Sequence, residues 1–109
     1  MKIKTIHIDD IKTIYEEKTN GGHWFDKDTC SFFKSRFAKW GYKLSDNIYF
    51  ISSEQNTIDN QPRLYTIQKM DKDCDIESVD GFQNYKTRVQ ANRELKKILT
   101  ANSSLLALL

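Results

Sequence analysis

The segment NIYFISSEQNTIDNQPRLYTIQKM, residues 47–70, decides the fold. Its first part, NIYFISS, is rich in aromatic and β-branched residues, which favour extended strands. Its last part, RLYTIQKM, alternates between two sets of side chains, as a strand with two different faces does. The polar stretch EQNTIDNQP between them contains the only proline of the chain and predicts a loop. The segment therefore predicts two sheet strands joined by a polar connection.

A third strand is predicted just downstream of this pair. DKDCD, residues 71–75, has the polar composition of a turn, and residues 76–82 that follow it favour a strand. Ile76 and Val79 have opposite parity, so a bulge or an early end of this strand is expected. The three segments together predict a three-stranded antiparallel meander.

Upstream of the meander, the sequence predicts a short strand over residues 2–8 and then a first helix. Asp9 or Asp10 is the expected N-cap, because a carboxylate there can accept the free amides of the first turn. The helix is expected to stop at Asn20-Gly21-Gly22, residues that tolerate the left-handed conformation of a helix end.

A second helix is predicted from Asp26, its N-cap, to Gly41, which would end it. Four residues between them recur at the i, i+3, i+7 and i+10 positions of one helical stripe: Cys30, Phe33, Phe37 and Trp40. We therefore expect this aromatic segment to fill the core rather than to form a nucleic-acid stacking surface.

The last helix is predicted to start at Thr87, where Thr87 and Gln90 match a capping box. Its expected buried stripe consists of Ala91, Leu95, Ile98 and Leu99. The chain then closes with a leucine-rich stretch that either extends this helix or packs against a second copy of the chain. The candidate homodimer residues are Leu105, Leu106, Leu108 and Leu109.

These elements predict one α+β domain over residues 1–109, with its core at about residues 22–99 and a leucine-rich tail or helix extension at 100–109. In this interpretation the N-terminal helices and the C-terminal helix pack on one face of the small meander. The N-terminus has no apolar signal-peptide core and no apolar run is long enough to span a bilayer, so a cytoplasmic, non-membrane protein is expected.

The net charge is only +2, but it is unevenly distributed along the chain. Two basic segments provide the candidate residues for binding nucleic acid or a partner: Lys34, Arg36, Lys39, Lys86, Arg88, Arg93, Lys96 and Lys97. One acidic segment provides candidates that would face a basic partner: Asp71, Asp73, Asp75 and Glu77. The alternative interpretation is that these runs are ordinary solvated faces and a polar hairpin tip.

Motifs of catalysis are missing from the sequence, which has no GxSxG, no P-loop and only four glycines. We therefore expect a protein that is not an enzyme and has no cofactor. Ser52-Ser53-Glu54 suits either a pocket lining or simply a polar strand end. A zinc-binding structural role is one alternative, with His7, His23, Cys30 and Cys74 as ligands, although no two of them have close ligand spacing.

Four blocks of the chain resemble a family of small uncharacterised proteins from phages and mobile elements. The blocks are HWFDKDTCSFFKSR, YFISSE, RLYTIQKMD and DIESVDGFQNYKTRVQA, within residues 22–91. The order of helix, three strands and basic helix is also similar to double-stranded RNA-binding domains. The meander followed by FQNYKTRVQANREL is similar to the N-terminal arm-binding domain of phage integrases.

The family resemblance implies a setting rather than a mechanism. From it, the charge distribution and the absent catalytic motifs, we expect a non-catalytic accessory protein. It would bind and modulate a host protein or nucleoprotein complex that handles nucleic acid, for example in counter-defence of the anti-CRISPR kind. The alternative is a domain that binds DNA or RNA directly through its basic C-terminal helix.

Overall fold

The computed structural model describes residues 3–55 and 61–108, with side chains through residue 103. In chain order the described elements are β1 (Lys4–His7), α1 (Ile8–Thr19), α2 (Lys27–Phe32), β2 (Arg36–Phe37), β3 (Trp40–Leu44), β4 (Asn47–Glu54), β5 (Leu64–Met70), β6 (Ile76–Val79) and α3 (Arg88–Leu108). An antiparallel sheet together with three helices confirms the α+β class.

The described sheet has six strands, so the predicted number of three is wrong. Its order is β1-β3-β4-β5-β6, with antiparallel pairing throughout. The short β2 pairs with β4 at Ser52 and Ser53, while β3 pairs with residues 47–49 of the same strand. The three predicted strands are present as β4, β5 and β6, and β6 ends early at Val79.

The predicted second helix is wrong beyond its first turns. α2 ends at Phe32, and Lys34 has a φ of 47°, a left-handed conformation that a helix cannot continue through. The chain then forms β2 and β3, whose backbone groups pair with the edge of β4 that β5 leaves open. The pairing of β2 and β3 with β4 overrides the helical stripe.

The expected burial of that stripe is only partly found. Phe37 packs from β2 against buried residues, but the side chains of Phe33 and Trp40 remain 43% and 48% exposed. Gly41 lies inside β3 and does not end a helix. A Cβ there would stand 2.7 Å from the carbonyl oxygen of Tyr49 and 2.8 Å from Cδ1 of Ile11, so the close approach of α1 to the sheet requires glycine.

The helices lie on both faces of the sheet, which corrects the prediction of one covered face. α3 covers a cluster formed by Leu44, Tyr49, Ile51, Ile67, Tyr85, Ala91, Leu95 and Leu99. α1 covers the opposite cluster of Ile8, Ile11, Tyr15, Ile48, Phe50, Met70 and Cys74. Successive residues of β4 and β5 point to opposite faces, and both sets include large apolar side chains, so both faces need a cover. We call these the α3 face and the α1 face.

The helix ends follow the sequence with two changes. His7, and not Asp9 or Asp10, is the N-cap of α1, and its Nδ1 accepts the amide of Asp9 at 3.1 Å. The α1 C-cap is Asn20 with a φ of 53°, as expected. Asp26 does occupy the N-cap of α2, but its carboxylate contacts Nδ1 of His23 at 2.8 Å instead of a backbone amide.

Half of the capping box of α3 is present: the backbone amide of Gln90 donates to Oγ1 of Thr87, but the side chain of Gln90 accepts the backbone amide of Lys86 rather than that of Thr87. α3 continues to Leu108, so the stretch from residue 100 extends the helix. The proposed leucine dimer surface, Leu105, Leu106, Leu108 and Leu109, lies outside the described side chains. Within the described chain, no helix is both long and apolar enough to cross a bilayer.

Candidate functional site

Three arginines from separate parts of the chain line one pocket on the α3 face. Arg36 comes from β2, Arg63 from the residue before β5, and Arg88 from the first turn of α3. The pocket has a volume of about 200 Å³, and Ser53 and Tyr65 contribute to its lining. We call this the arginine pocket. Two of the predicted binding residues, Arg36 and Arg88, are thereby brought together from the two basic segments.

The register of the sheet explains this convergence. Arg36 stands opposite Ser53 in the β2–β4 pair, and Tyr65 stands opposite Ser53 in the β4–β5 pair. Arg63 lies two residues before Tyr65 and therefore points to the same face. Arg88 lies at the same pocket because Tyr85, just before the start of α3, pairs with Tyr65. Backbone pairing thus brings the three arginines to the lining of one pocket.

Arg63 is the anchored member of the pocket. Its Nη1 donates to the carbonyl oxygen of Ser53 at 3.1 Å and to Oγ of Ser53 at 2.9 Å. Partial burial lowers the pKa of Arg63 below its ordinary value, and the nearby positive charge of Arg36 lowers it further. Mutual repulsion between two guanidinium groups is a cost that a bound anion would remove.

The electrostatics of the pocket favour a negatively charged ligand. Among the described residues, no carboxylate lies within salt-bridge distance of Arg36, Arg63 or Arg88. Arg88 also begins a helix, so the positive end of the α3 dipole adds to the three side-chain charges. The charge of Glu54 acts on Arg63 from beyond salt-bridge distance, so it does not occupy the donors of the guanidinium group. Arginines that line one pocket without a direct ion pair suit the bidentate recognition of phosphate or carboxylate oxygens.

The other predicted basic residues do not join this pocket. Lys34 lies in the turn after α2, and Lys39 places its Nζ 5.9 Å from the ring centre of Trp40. Lys97 pairs with Glu94 at 3.2 Å. Lys86, Arg93 and Lys96 are exposed and line no part of the pocket. The candidate surface is therefore more compact than the two basic segments indicated.

Some residues of the predicted acidic segment make contacts within the fold. Oδ1 of Asp71 accepts the backbone amides of Asp73 and Asp75 at 2.9 and 3.0 Å, which confirms the turn. Glu77 forms an ion pair with Lys69 at 2.7 Å. A role of these carboxylates toward a basic partner stays a prediction.

The zinc candidates occupy separate places in the fold. His7 caps α1, His23 contacts Asp26, Cys30 lies in α2 and Cys74 lies in the turn before β6. Among the described residues, no group of three histidine, cysteine or acidic side chains is arranged to hold a metal ion. Both cysteines are free thiols, and burial raises the pKa of each.

Arg63 is the site residue that sequence reasoning missed. It stands next to a polar loop, where a single cation carries no signal of its own. Its parity with Tyr65 in a predicted strand shows which face it shares, but its proximity to Arg36 and Arg88 depends on β2 and on the bridge between Tyr65 and Tyr85. Those pairings join distant residues and leave no local pattern.

Comparison with known proteins gives one match. A model described as a family of unknown function, DUF7447, matches residues 7–96, a span that includes all three arginines of the pocket. No curated protein and no solved structure matches the chain. The match covers α1, α2, the strands β2 to β6 and the first part of α3. The chain therefore belongs to this family of unknown function, DUF7447.

Proposed function

We propose that the protein binds nucleic acid through the phosphate backbone, with the arginine pocket as the contact. The observation that carries this proposal is that Arg36, Arg63 and Arg88 line one pocket, and that no described carboxylate lies within salt-bridge distance of them. Guanidinium groups bind phosphate oxygens in a bidentate manner, and each phosphate that they neutralise releases condensed counter-ions. Such binding is independent of sequence and weakens as salt rises.

The pocket places these cations at one point of the α3 face, rather than along the whole of α3. Arg36 and Arg88 are exposed and can reach a ligand, while Arg63 is held by Ser53 and fixes the position of the site. Pre-organised donors lower the conformational entropy that binding costs. The proposal therefore differs from direct binding by the basic C-terminal helix alone.

The test is fluorescence anisotropy with labelled duplex DNA, duplex RNA and single strands over a series of salt concentrations. The variant Arg36→Ala with Arg88→Ala removes two exposed cations of the pocket. We expect the slope of log K against log salt to become shallower by about 1.8 for duplex DNA, because each phosphate contact contributes roughly 0.9. Binding at low salt should weaken in parallel for all sequences of one strand type.

The matched control removes the same charge elsewhere on the helix. Arg93→Ala with Lys96→Ala lowers the net charge by the same two units but leaves the pocket intact. If this control weakens binding as much as the pocket variant does, the contact is the helix surface and not the pocket. If none of the duplex DNA, duplex RNA and single-stranded probes binds at low salt, the proposal is wrong.

The setting of this activity is a separate proposal that rests on the sequence blocks. We propose that the protein belongs to a phage or mobile element and modulates a host complex that handles nucleic acid, in the manner of a counter-defence protein. Affinity purification from the native host and a plaque assay test it. A purification without a nucleic-acid-handling partner, together with no protection of phage, would contradict it.

A further inference from the structure

A second pocket lies on the α1 face, behind the same end of β4. Its floor is polar, with Glu54, Gln68 and Ser78 from three neighbouring strands, and its walls include the aromatic rings of Trp24, Phe33, Phe37 and Phe82. The volume is about 230 Å³. We call this the aromatic pocket. It shares no arginine with the pocket on the α3 face.

The polar floor is a hydrogen-bond chain that ends on one carboxylate. Nε2 of Gln68 donates to Oγ of Ser52 at 3.0 Å, and Oγ of Ser52 donates to Oε1 of Glu54 at 2.7 Å. Oγ1 of Thr66 lies 3.3 Å from the second oxygen, Oε2. Thr66 in turn accepts the amide of Gln83 at 2.8 Å, so its hydroxyl hydrogen is free to point to Glu54. Both carboxylate oxygens therefore act as acceptors, as they do in the ionised form.

This carboxylate has no ion-pair partner among the described residues. Glu54 is only 5% exposed, yet none of the described lysine or arginine side chains lies within salt-bridge distance of it. Burial raises the pKa of Glu54, against the opposing effects of the bonds from Ser52 and Thr66 and of the more distant positive charge of Arg63. A buried carboxylate without a direct ion pair is costly, and a cation that enters the pocket would offset that cost.

The aromatic walls favour the same kind of ligand. The face of an aromatic ring carries partial negative charge and attracts a cation placed above it. Phe37 already shows this behaviour within the chain, because Nζ of Lys12 lies 5.3 Å from its ring centre. Four aromatic rings around one carboxylate match the chemistry that binds alkylammonium and guanidinium groups.

The size and the surroundings of the pocket indicate what kind of molecule carries the cation. Pockets for drug-sized molecules begin at about 300 Å³, so a volume of about 230 Å³ suits a single side chain. Around it, Phe32, Phe33 and Phe82 are 70%, 43% and 55% exposed, an apolar rim of the kind that contacts another protein. We propose that the aromatic pocket binds the cationic group of one lysine or arginine side chain of a partner protein.

The experiment measures the fluorescence of Trp24 in a Trp40→Phe background, so that one tryptophan reports. The probes are butylammonium, butylguanidinium and uncharged butanol, and three peptides with acetylated N-termini and amidated C-termini: Gly-Gly-Lys-Gly-Gly, Gly-Gly-Arg-Gly-Gly and Gly-Gly-norleucine-Gly-Gly. We expect saturable changes with the two cationic peptides and none with the norleucine peptide. Glu54→Gln, which keeps the shape and removes the charge, should weaken cation binding by about tenfold.

A second pair of variants distinguishes loss of the pocket from loss of the fold. Phe82→Ala removes an exposed ring of the pocket lining, and Val89→Ala removes an exposed apolar side chain of α3 that does not line the pocket. Only Phe82→Ala should weaken binding. Equal responses to charged and uncharged probes, or an unchanged affinity in Glu54→Gln, would overturn the proposal. Binding of butylammonium without binding of either peptide would overturn its partner component and assign the pocket to a free organic cation. Nucleic-acid binding by Arg36 and Arg88 is measured separately, so the two proposals fail independently.

Discussion

Ser53 and Glu54 are consecutive in β4, yet their side chains serve different pockets on opposite faces of the sheet. Oγ of Ser53 accepts Nη1 of Arg63 at 2.9 Å, and Oε1 of Glu54 accepts Oγ of Ser52 at 2.7 Å. The alternation of a strand makes this division unavoidable. A positive pocket and a negative pocket thus lie back to back, separated by the thickness of one sheet.

Glu54 should make stability depend on pH in an unusual direction. Its pKa is raised in the folded protein, so the folded state binds the proton more tightly than the unfolded chain does. The free energy of unfolding therefore falls as pH rises from the ordinary carboxyl range to the raised pKa. We expect the free energy of unfolding of Glu54→Gln, measured with urea, to rise relative to that of the native chain as the pH increases above the ordinary carboxyl range.

The control for this pH series is Glu17→Gln, which removes an exposed carboxylate of α1. Its difference from the native chain should stay nearly constant over the same range. A constant difference for Glu54→Gln as well would show that Glu54 has the same pKa in the folded and unfolded states.

Gly41→Ala should destabilise the protein by about 1–3 kcal/mol. The added Cβ would stand 2.7 Å from the carbonyl oxygen of Tyr49 and 2.8 Å from Cδ1 of Ile11, so the strand or α1 must move. Lys43→Ala, an exposed change in the same strand, is the matched control. Thermal unfolding followed by circular dichroism distinguishes them, and equal midpoints would contradict the close packing of α1 on β3.

Leu95→Ala should cost about 2–5 kcal/mol, because Leu95 is 1% exposed and sits in the α3-face cluster. Val89→Ala on the same helix changes a side chain that is 66% exposed, and we expect a change within about 0.5 kcal/mol. Denaturant unfolding of both variants measures the contrast. Similar losses for both would mean that α3 does not pack as described.

Thr87→Ala should cost about 1 kcal/mol by removing the acceptor for the amide of Gln90. Thr87→Ser retains a hydroxyl and serves as the control. Hydrogen exchange of the amides in the first turn of α3 reports the local effect. Protection that is unchanged in Thr87→Ala would show that the capping box does not hold this helix end, and with it the position of Arg88.

The sequence predicted those elements whose signals are local. α1 and α3 carry apolar stripes and end signals such as Asn20 and Thr87, and β4 and β5 carry dense β-branched and aromatic residues. The helix predicted over residues 33–41 was wrong because Phe33, Phe37 and Trp40 fit a helical period, although the segment forms strands. What decides their structure is the open edge of β4, and edge pairing is a property of the whole sheet.

The candidate sites show the same division. Arg36 and Arg88 were identified from charge runs, but Arg63 completes the pocket only through pairings between distant residues. Glu54 was assigned to a strand end or a pocket lining, and its burial beside Gln68 follows from the β4–β5 register. Composition therefore indicates which residues are charged, and register decides which of them meet.

The position of α3 after all strands of the sheet has a consequence for synthesis on the ribosome. β4 and β5 can pair, and α1 can cover its face, before residues 88–99 have left the ribosome. Until then Tyr49, Ile51 and Ile67 form an apolar surface without its cover. A nascent chain paused at this point offers that surface to chaperones or to neighbouring chains, and the last helix closes it.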